Sequence, residues 1–149
     1  MSTSQVHYED VIEGMELPGI SYGPVTTEMM VRFMAARNNY HPIHYDKDFA
    51  RAEGHPDVLV EGPMKFALFE RLIRDWMGEE GTLRKISATY RGIDIPGNTL
   101  LIKGKVISKG IEGDQGSIHC ELWAENQTGA MTTKGNAVVM LPFKSKDAT

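Results

Sequence analysis

Before Gly78 the apolar residues recur every three or four positions; from Thr82 onward they alternate with polar ones. That change of period separates a helical part from a stranded part. Thr26 or Thr27 can cap a first helix with Glu28 in its first turn, and Met29, Met30, Phe33 and Met34 form its apolar stripe. Asn38-Asn39 and Pro42 stop it. A short second helix is expected from about Asp46 to Glu53, closed by Gly54. The strongest helical signal begins at Pro63, a residue favoured at a first helical position. Leu68, Phe69, Leu72, Ile73 and Trp76 then give one apolar face that ends at Gly78.

The alternating part reads as four strands: Leu83–Tyr90, Thr99–Ser108, Ser117–Asn126 and Thr132–Leu141. The breaks at Ile95-Pro96-Gly97-Asn98, Glu112-Gly113-Asp114 and Asn126-Gln127-Thr128-Gly129 have the residues of hairpin turns, which makes the strands antiparallel. Tyr8 to Gly23, broken by Gly14, Pro18 and Gly19, is an extended, turning lead-in. Helices followed by antiparallel strands define an α+β chain, with one long amphipathic helix lying along a curved antiparallel sheet.

Composition narrows what such a chain does. Its 149 residues fit a single domain, with an ordered core expected from about Tyr8 to Phe143 between polar ends. A formal net charge of −4 argues against a nucleic-acid binder, which needs a basic face to displace counterions. It leaves room for a phosphorylated ligand held by a few local Lys and Arg. The single cysteine, Cys120, rules out an intramolecular disulfide and a cysteine-rich metal site. The first ten residues are polar, and no apolar run approaches the ~18 residues of a membrane span, so a cytoplasmic protein with no membrane partner is expected.

Two segments carry candidate chemistry. His41 and His44 flank Pro42-Ile43 in a tight loop between two helices, a place where reactive side chains are held by a rigid scaffold. His7, His55 and His119 read as structural, His119 as one face of a strand. A zinc site at His41 and His44 lacks a thiol or a carboxylate at a convincing spacing, so neither metal nor cofactor is expected. The second segment is Val58-Leu59-Val60-Glu61-Gly62-Pro63-Met64, an extended apolar run entering the long helix. Unsatisfied N–H groups at a helix start can hold an oxygen on which negative charge develops, and glycine lets a ligand approach. Taken alone, Gly62 is a turn before a helix.

Taken together, the two segments resemble the MaoC-like hydratases and dehydratases, a family of the hot-dog fold. Their pattern is Asp-x-Asn-Pro-(Ile/Leu/Val)-His, five residues and a small one, then an apolar strand entering a Gly at the start of the central helix. Here Asn39-Tyr40-His41-Pro42-Ile43-His44 is followed by Tyr45–Phe49 and Ala50, and Val58–Gly62 leads into Pro63. Tyr90-Arg91-Gly92-Ile93-Asp94-Ile95-Pro96-Gly97-Asn98-Thr99-Leu100 is similar to the family's strand-to-Pro-Gly turn, and the likeness runs from about Val11 to Pro142.

The resemblance implies reversible hydration of a 2-enoyl-CoA to a 3-hydroxyacyl-CoA, with His44 taking the proton of an added water and Gly62 holding the thioester oxygen. Pro63, Met64 and Arg91 fall at substrate-binding positions. Arg84, Lys85, Arg91, Lys103 and Lys105 are the basic residues available to coenzyme A phosphates. The family's acid stands as Asn39, and its usual Asn as His41. An amide orients water but does not exchange its proton at neutral pH. Glu61 and His41 are the candidates to share that work, although Glu61 reads equally well as a solvated residue. The resemblance also implies a homodimer or larger assembly, since the family's ligand channel lies between subunits. Two rivals remain open: a non-catalytic acyl-CoA-binding subunit paired with a homologous hot-dog chain, favoured by Asn39, and a thioesterase using Glu61.

Overall fold

The computed structural model describes residues 4–145. Its centre is helix α3, Gly62–Met77, which starts as the Pro63 signal predicts. Met64, Leu68, Phe69, Leu72, Ile73, Trp76 and Met77 are all buried along one face. Each such side chain contributes about 1.5–3 kcal/mol when taken from water. α1, Thr27–Ala36, is capped by the Thr26 hydroxyl, which accepts from the Met29 N–H at 3.1 Å. α2, Lys47–Ala52, is capped by Asp46.

Among the described residues the sheet has five strands: β1 Ile20–Tyr22, β2 Thr82–Tyr90, β3 Leu100–Glu112, β4 Gln115–Glu125 and β5 Met131–Leu141. They lie in the order β1-β3-β4-β5-β2, and every neighbouring pair is antiparallel. β1 is the short strand hidden in the lead-in; at three residues it shows no alternation to detect. Gly104, Leu122 and Gly135 face one another in one row across β3, β4 and β5. A side chain at Gly135 would meet the Phe69 ring at 2.9 Å and the Ser87 carbonyl at 2.2 Å, and one at Gly104 would approach Leu72. The missing side chains make the trough in which α3 lies close to the sheet.

The Pro96-Gly97 break is not a hairpin. β2 sits at the edge beside β5, so residues 91–99 carry the chain over to β3. The reason is local. Arg91 and Gly92 both donate their N–H groups to the Thr132 carbonyl, at 2.9 and 3.0 Å, and the fully buried Asp94 then turns inward to Lys65 of α3. The chain has left the ladder before it reaches the Pro-Gly turn. The crossover also returns to the helix entrance, because the Val60 N–H donates to the Asp94 carbonyl at 2.8 Å. At the other end, the Gln5 side chain bonds Met77 and Glu80, so the ordered chain begins slightly before the expected Tyr8. Among the described residues no helix is long and apolar enough to cross a membrane.

Candidate active site

The loop after α1 and the strand-like run before α3 are stitched together at one point. The Leu59 N–H donates to the Ile43 carbonyl at 3.1 Å, and the Leu59 carbonyl lies 2.7 Å from His44 Nδ1. A carbonyl oxygen can only accept, so Nδ1 carries a hydrogen and the neutral ring is the tautomer whose lone pair is on Nε2. That is the state in which an imidazole can take a proton. His44 sits at the end of a one-turn helix, Pro42–His44, that His41 caps. His41 Nδ1 accepts from the Ile43 N–H at 3.3 Å, and its ring packs edge-on against Phe49 with centroids 5.8 Å apart. His41 Nδ1 thus helps shape the loop that presents His44.

Glu61 is the residue before α3, and it is buried, with 4% of its surface exposed. The solvated alternative for this side chain is overturned: it is drawn inward by two donors. Arg37 Nη1 and Asn39 Nδ2 both donate to Glu61 Oε1. Asn39 Oδ1 in turn accepts the His41 N–H at 3.2 Å. Glu61 Oε2 is buried and has no hydrogen-bond partner among the described residues. Gly62, the first residue of α3, has its N–H among those without an intrahelical acceptor. A side chain at position 62 would meet the Tyr90 ring at 2.9 Å, so glycine here is a matter of close approach. Burial pushes the Tyr90 hydroxyl above its ordinary pKa; the Arg37 guanidinium opposes that shift and the Glu61 carboxylate adds to it.

Two grooves flank the exposed side of α3. One, of about 480 Å³, is lined by Arg37, Pro63 and Tyr90 beside the glycine entrance. The other, of about 590 Å³, runs between α1 and α3 over Met29, Met64 and Leu68, with Arg32 and Arg71 among its lining residues. Phe33 and Ala67 line both. The structure thus bonds Asn39, His41 and Glu61 to one another and joins His44 to them through its backbone N–H on the His41 carbonyl, with Gly62 next in the chain and Pro63 and Met64 each on one of the grooves. Arg91 is exposed at the end of β2, next to Tyr90. Two of the other basic candidates are engaged elsewhere: Arg84 pairs with Glu112 and Lys103 with Glu125. Lys85 lies beside Ser87, His119 and Asn136, whose strand positions alternate with those of buried Ala137.

Three participants escaped the sequence reading. Arg37 follows α1 directly and looked like an ordinary helix end. Tyr90 read as the last residue of a strand and the first of the segment leading to the Pro-Gly turn, with no role at the site. Lys65 does carry a signal, a cation on the apolar stripe three residues before Leu68, and its counterpart Asp94 stands between Ile93 and Ile95.

Comparison with known proteins bears on the fold and the family. A curated relative, the 3-oxo-4,17-pregnadiene-20-carboxyl-CoA hydratase beta subunit of Mycobacterium tuberculosis H37Rv, is 27% identical over 124 residues, 74% of this chain and 95% of the relative. Among solved structures, the (R)-hydratase PhaJ1 of Pseudomonas aeruginosa superposes with a TM-score of 0.82 at 17% identity, covering 94% of this chain and 88% of that one. The ChsH1–ChsH2 complex of Mycobacterium tuberculosis gives a TM-score of 0.75 at 21% identity, over 87% of this chain and 98% of that one. These structural likenesses establish the hot-dog fold. The family model described as hydroxyacyl-thioester dehydratase type 2 matches residues 20–96, a stretch that runs from β1 through the His44 loop, Glu61, Gly62 and Tyr90 to the crossover. The chain belongs to the hydroxyacyl-thioester dehydratase type 2 family.

Proposed function

We propose that the protein is an acyl-thioester hydro-lyase that reversibly hydrates a 2-enoyl-CoA to a 3-hydroxyacyl-CoA. The observation that carries this reading is the fixed His44 imidazole, its Nδ1 committed to the carbonyl of Leu59, three residues before the helix-start Gly62. In the forward direction the oxygen of a water bonds to the β carbon. The double-bond electrons move to the α carbon and the thioester oxygen, where the Gly62 N–H meets the developing charge. The proton lost by the water goes to His44 Nε2 and from there to the α carbon, so water is added whole. The acyl group follows the surface of α3 past Pro63 on one groove and Met64 on the other, and Arg91 takes the coenzyme A end. The test is hydration of crotonyl-CoA followed by loss of its enoyl absorbance. Wild-type protein should turn over, and His44→Ala should slow it by roughly 10²–10⁴-fold. Turnover that survives His44→Ala would refute the assignment.

A second reading has two supports: the amide at position 39, and a relative that is the beta subunit of a hydratase. In it, the chain is one subunit of a heteromeric hydratase and needs a homologous hot-dog partner to turn over. The free edge of β2 and the exposed side of α3 would serve a homodimer or a heteromer alike. Light scattering on the purified chain beside the crotonyl-CoA assay decides: an active dimer supports the first reading, and an inactive chain that gains activity with a partner supports the second.

A further inference from the structure

We propose that Glu61 Oε2 is the carboxylate oxygen that holds the attacking water, and later the 3-hydroxyl of the product, with Arg37 and Asn39 as the residues that position it. This rests on the hydro-lyase reading of the same site. Asn39 stands where the family's acid is expected and has no proton to exchange. Its amide instead donates to Glu61 Oε1, and Arg37 donates to the same oxygen. Both donors converge on one carboxylate oxygen and leave the other, Oε2, buried without a partner among the described residues.

A buried carboxylate oxygen with no donor is costly, and native sites that keep one satisfy it with a ligand. The ligand must offer a hydrogen and be small or hydroxyl-bearing. A water fits that description before the reaction, and the hydroxyl on the β carbon fits it afterwards. The chemistry divides cleanly. His44 Nε2 takes the proton that leaves the water. Glu61 Oε2 accepts the hydrogen that stays on its oxygen and turns a lone pair toward the β carbon. The carboxylate lost at position 39 is thus supplied from the helix entrance, beside Gly62. A structural ion pair that only anchors the loop would need neither the free oxygen nor its burial.

The experiment compares wild type, Glu61→Gln and Asn39→Asp/Glu61→Gln in crotonyl-CoA hydration. Glu61→Gln should lower kcat by roughly 10²-fold or more while KM stays within a few-fold. The double variant returns a carboxylate to the cluster and should recover at least about tenfold of that loss, which repair of a purely structural contact would not produce. A Glu61→Gln protein that keeps kcat within a few-fold overturns the proposal and leaves the hydro-lyase reading standing. A second readout needs no turnover. In the His44→Ala background, 3-hydroxybutyryl-CoA should bind about tenfold or more tighter than butyryl-CoA, and adding Glu61→Gln should erase the difference. Equal binding of the two thioesters overturns the proposal whatever the turnover. Failure to bind either thioester, with no hydration by wild type, is the distinct result that removes the hydro-lyase reading itself.

Discussion

Lys65→Met tests whether the buried ion pair under the helix entrance holds the fold together. Lys65 is 2% exposed, and its ammonium lies 3.1 Å from the fully buried Asp94 and 3.3 Å from the Gly92 carbonyl. Methionine keeps the stem and its packing but removes the charge. Asp94 then retains two donors, the Thr132 hydroxyl at 2.5 Å and Asn98 Nδ2 at 3.3 Å, with no counter-charge. Breaking one side of a buried pair costs about 3–5 kcal/mol, and two surviving hydrogen bonds put this case near the lower end, about 3 kcal/mol. That is about 150-fold in the folded-to-unfolded ratio. Urea unfolding at one fixed protein concentration should show a lower midpoint with an unchanged slope. Asp94→Asn in the same chain removes the stranded charge and should return most of the loss; because Asp94→Asn alone strands Lys65 in turn, the double-mutant cycle should show a coupling of at least about 2 kcal/mol. A loss under about 1 kcal/mol, or additive effects of the two changes, would refute the reasoning. The same bonds reach the site, because the Asp94 carbonyl holds the Val60 N–H just before Glu61.

Other predictions are shorter. Gly62→Ala and Gly135→Ala should behave oppositely: the first meets the outer end of a half-exposed tyrosine, which can swing away, so stability changes by less than about 1 kcal/mol while hydration slows. The second meets the Ser87 carbonyl and the Phe69 ring, which cannot yield, and should cost about 3 kcal/mol or more in urea unfolding without any contact to the site. Cys120 has its thiol pKa pushed up to about 12 by burial, so the thiolate is scarce at pH 8. A thiol reagent should label it only as the protein unfolds, with a rate that denaturant controls; fast labelling of native protein would contradict the packing of β4.

The parts of this molecule that repeat were legible in its sequence. Phe69, Leu72 and Ile73 announce α3 because a helix buries every third or fourth residue, and β3 to β5 announce themselves through alternation. The partner of β2 did not, because strand order is set by long-range contacts: Asp94 turning to Lys65 decides that the chain crosses the sheet, and no local turn signal encodes it. β1 was too short to show a period. In the site, His44 and Gly62 were found through a linear motif. Glu61 was found only as a neighbour of Gly62, since its burial depends on Arg37 and Asn39, more than twenty positions away in the chain. Tyr90 meets Gly62 only after β2 has been laid beside β5, which sequence periodicity does not report.

The central claim is that this site adds water across a carbon–carbon double bond of a thioester. The most direct measurement is incubation with crotonyl-CoA in water labelled with heavy oxygen, followed by mass spectrometry of the products. The account predicts intact 3-hydroxybutyryl-CoA carrying the label on its hydroxyl, and far less of it with His44→Ala. Free coenzyme A with labelled crotonate would show attack at the thioester carbonyl instead, and would contradict it.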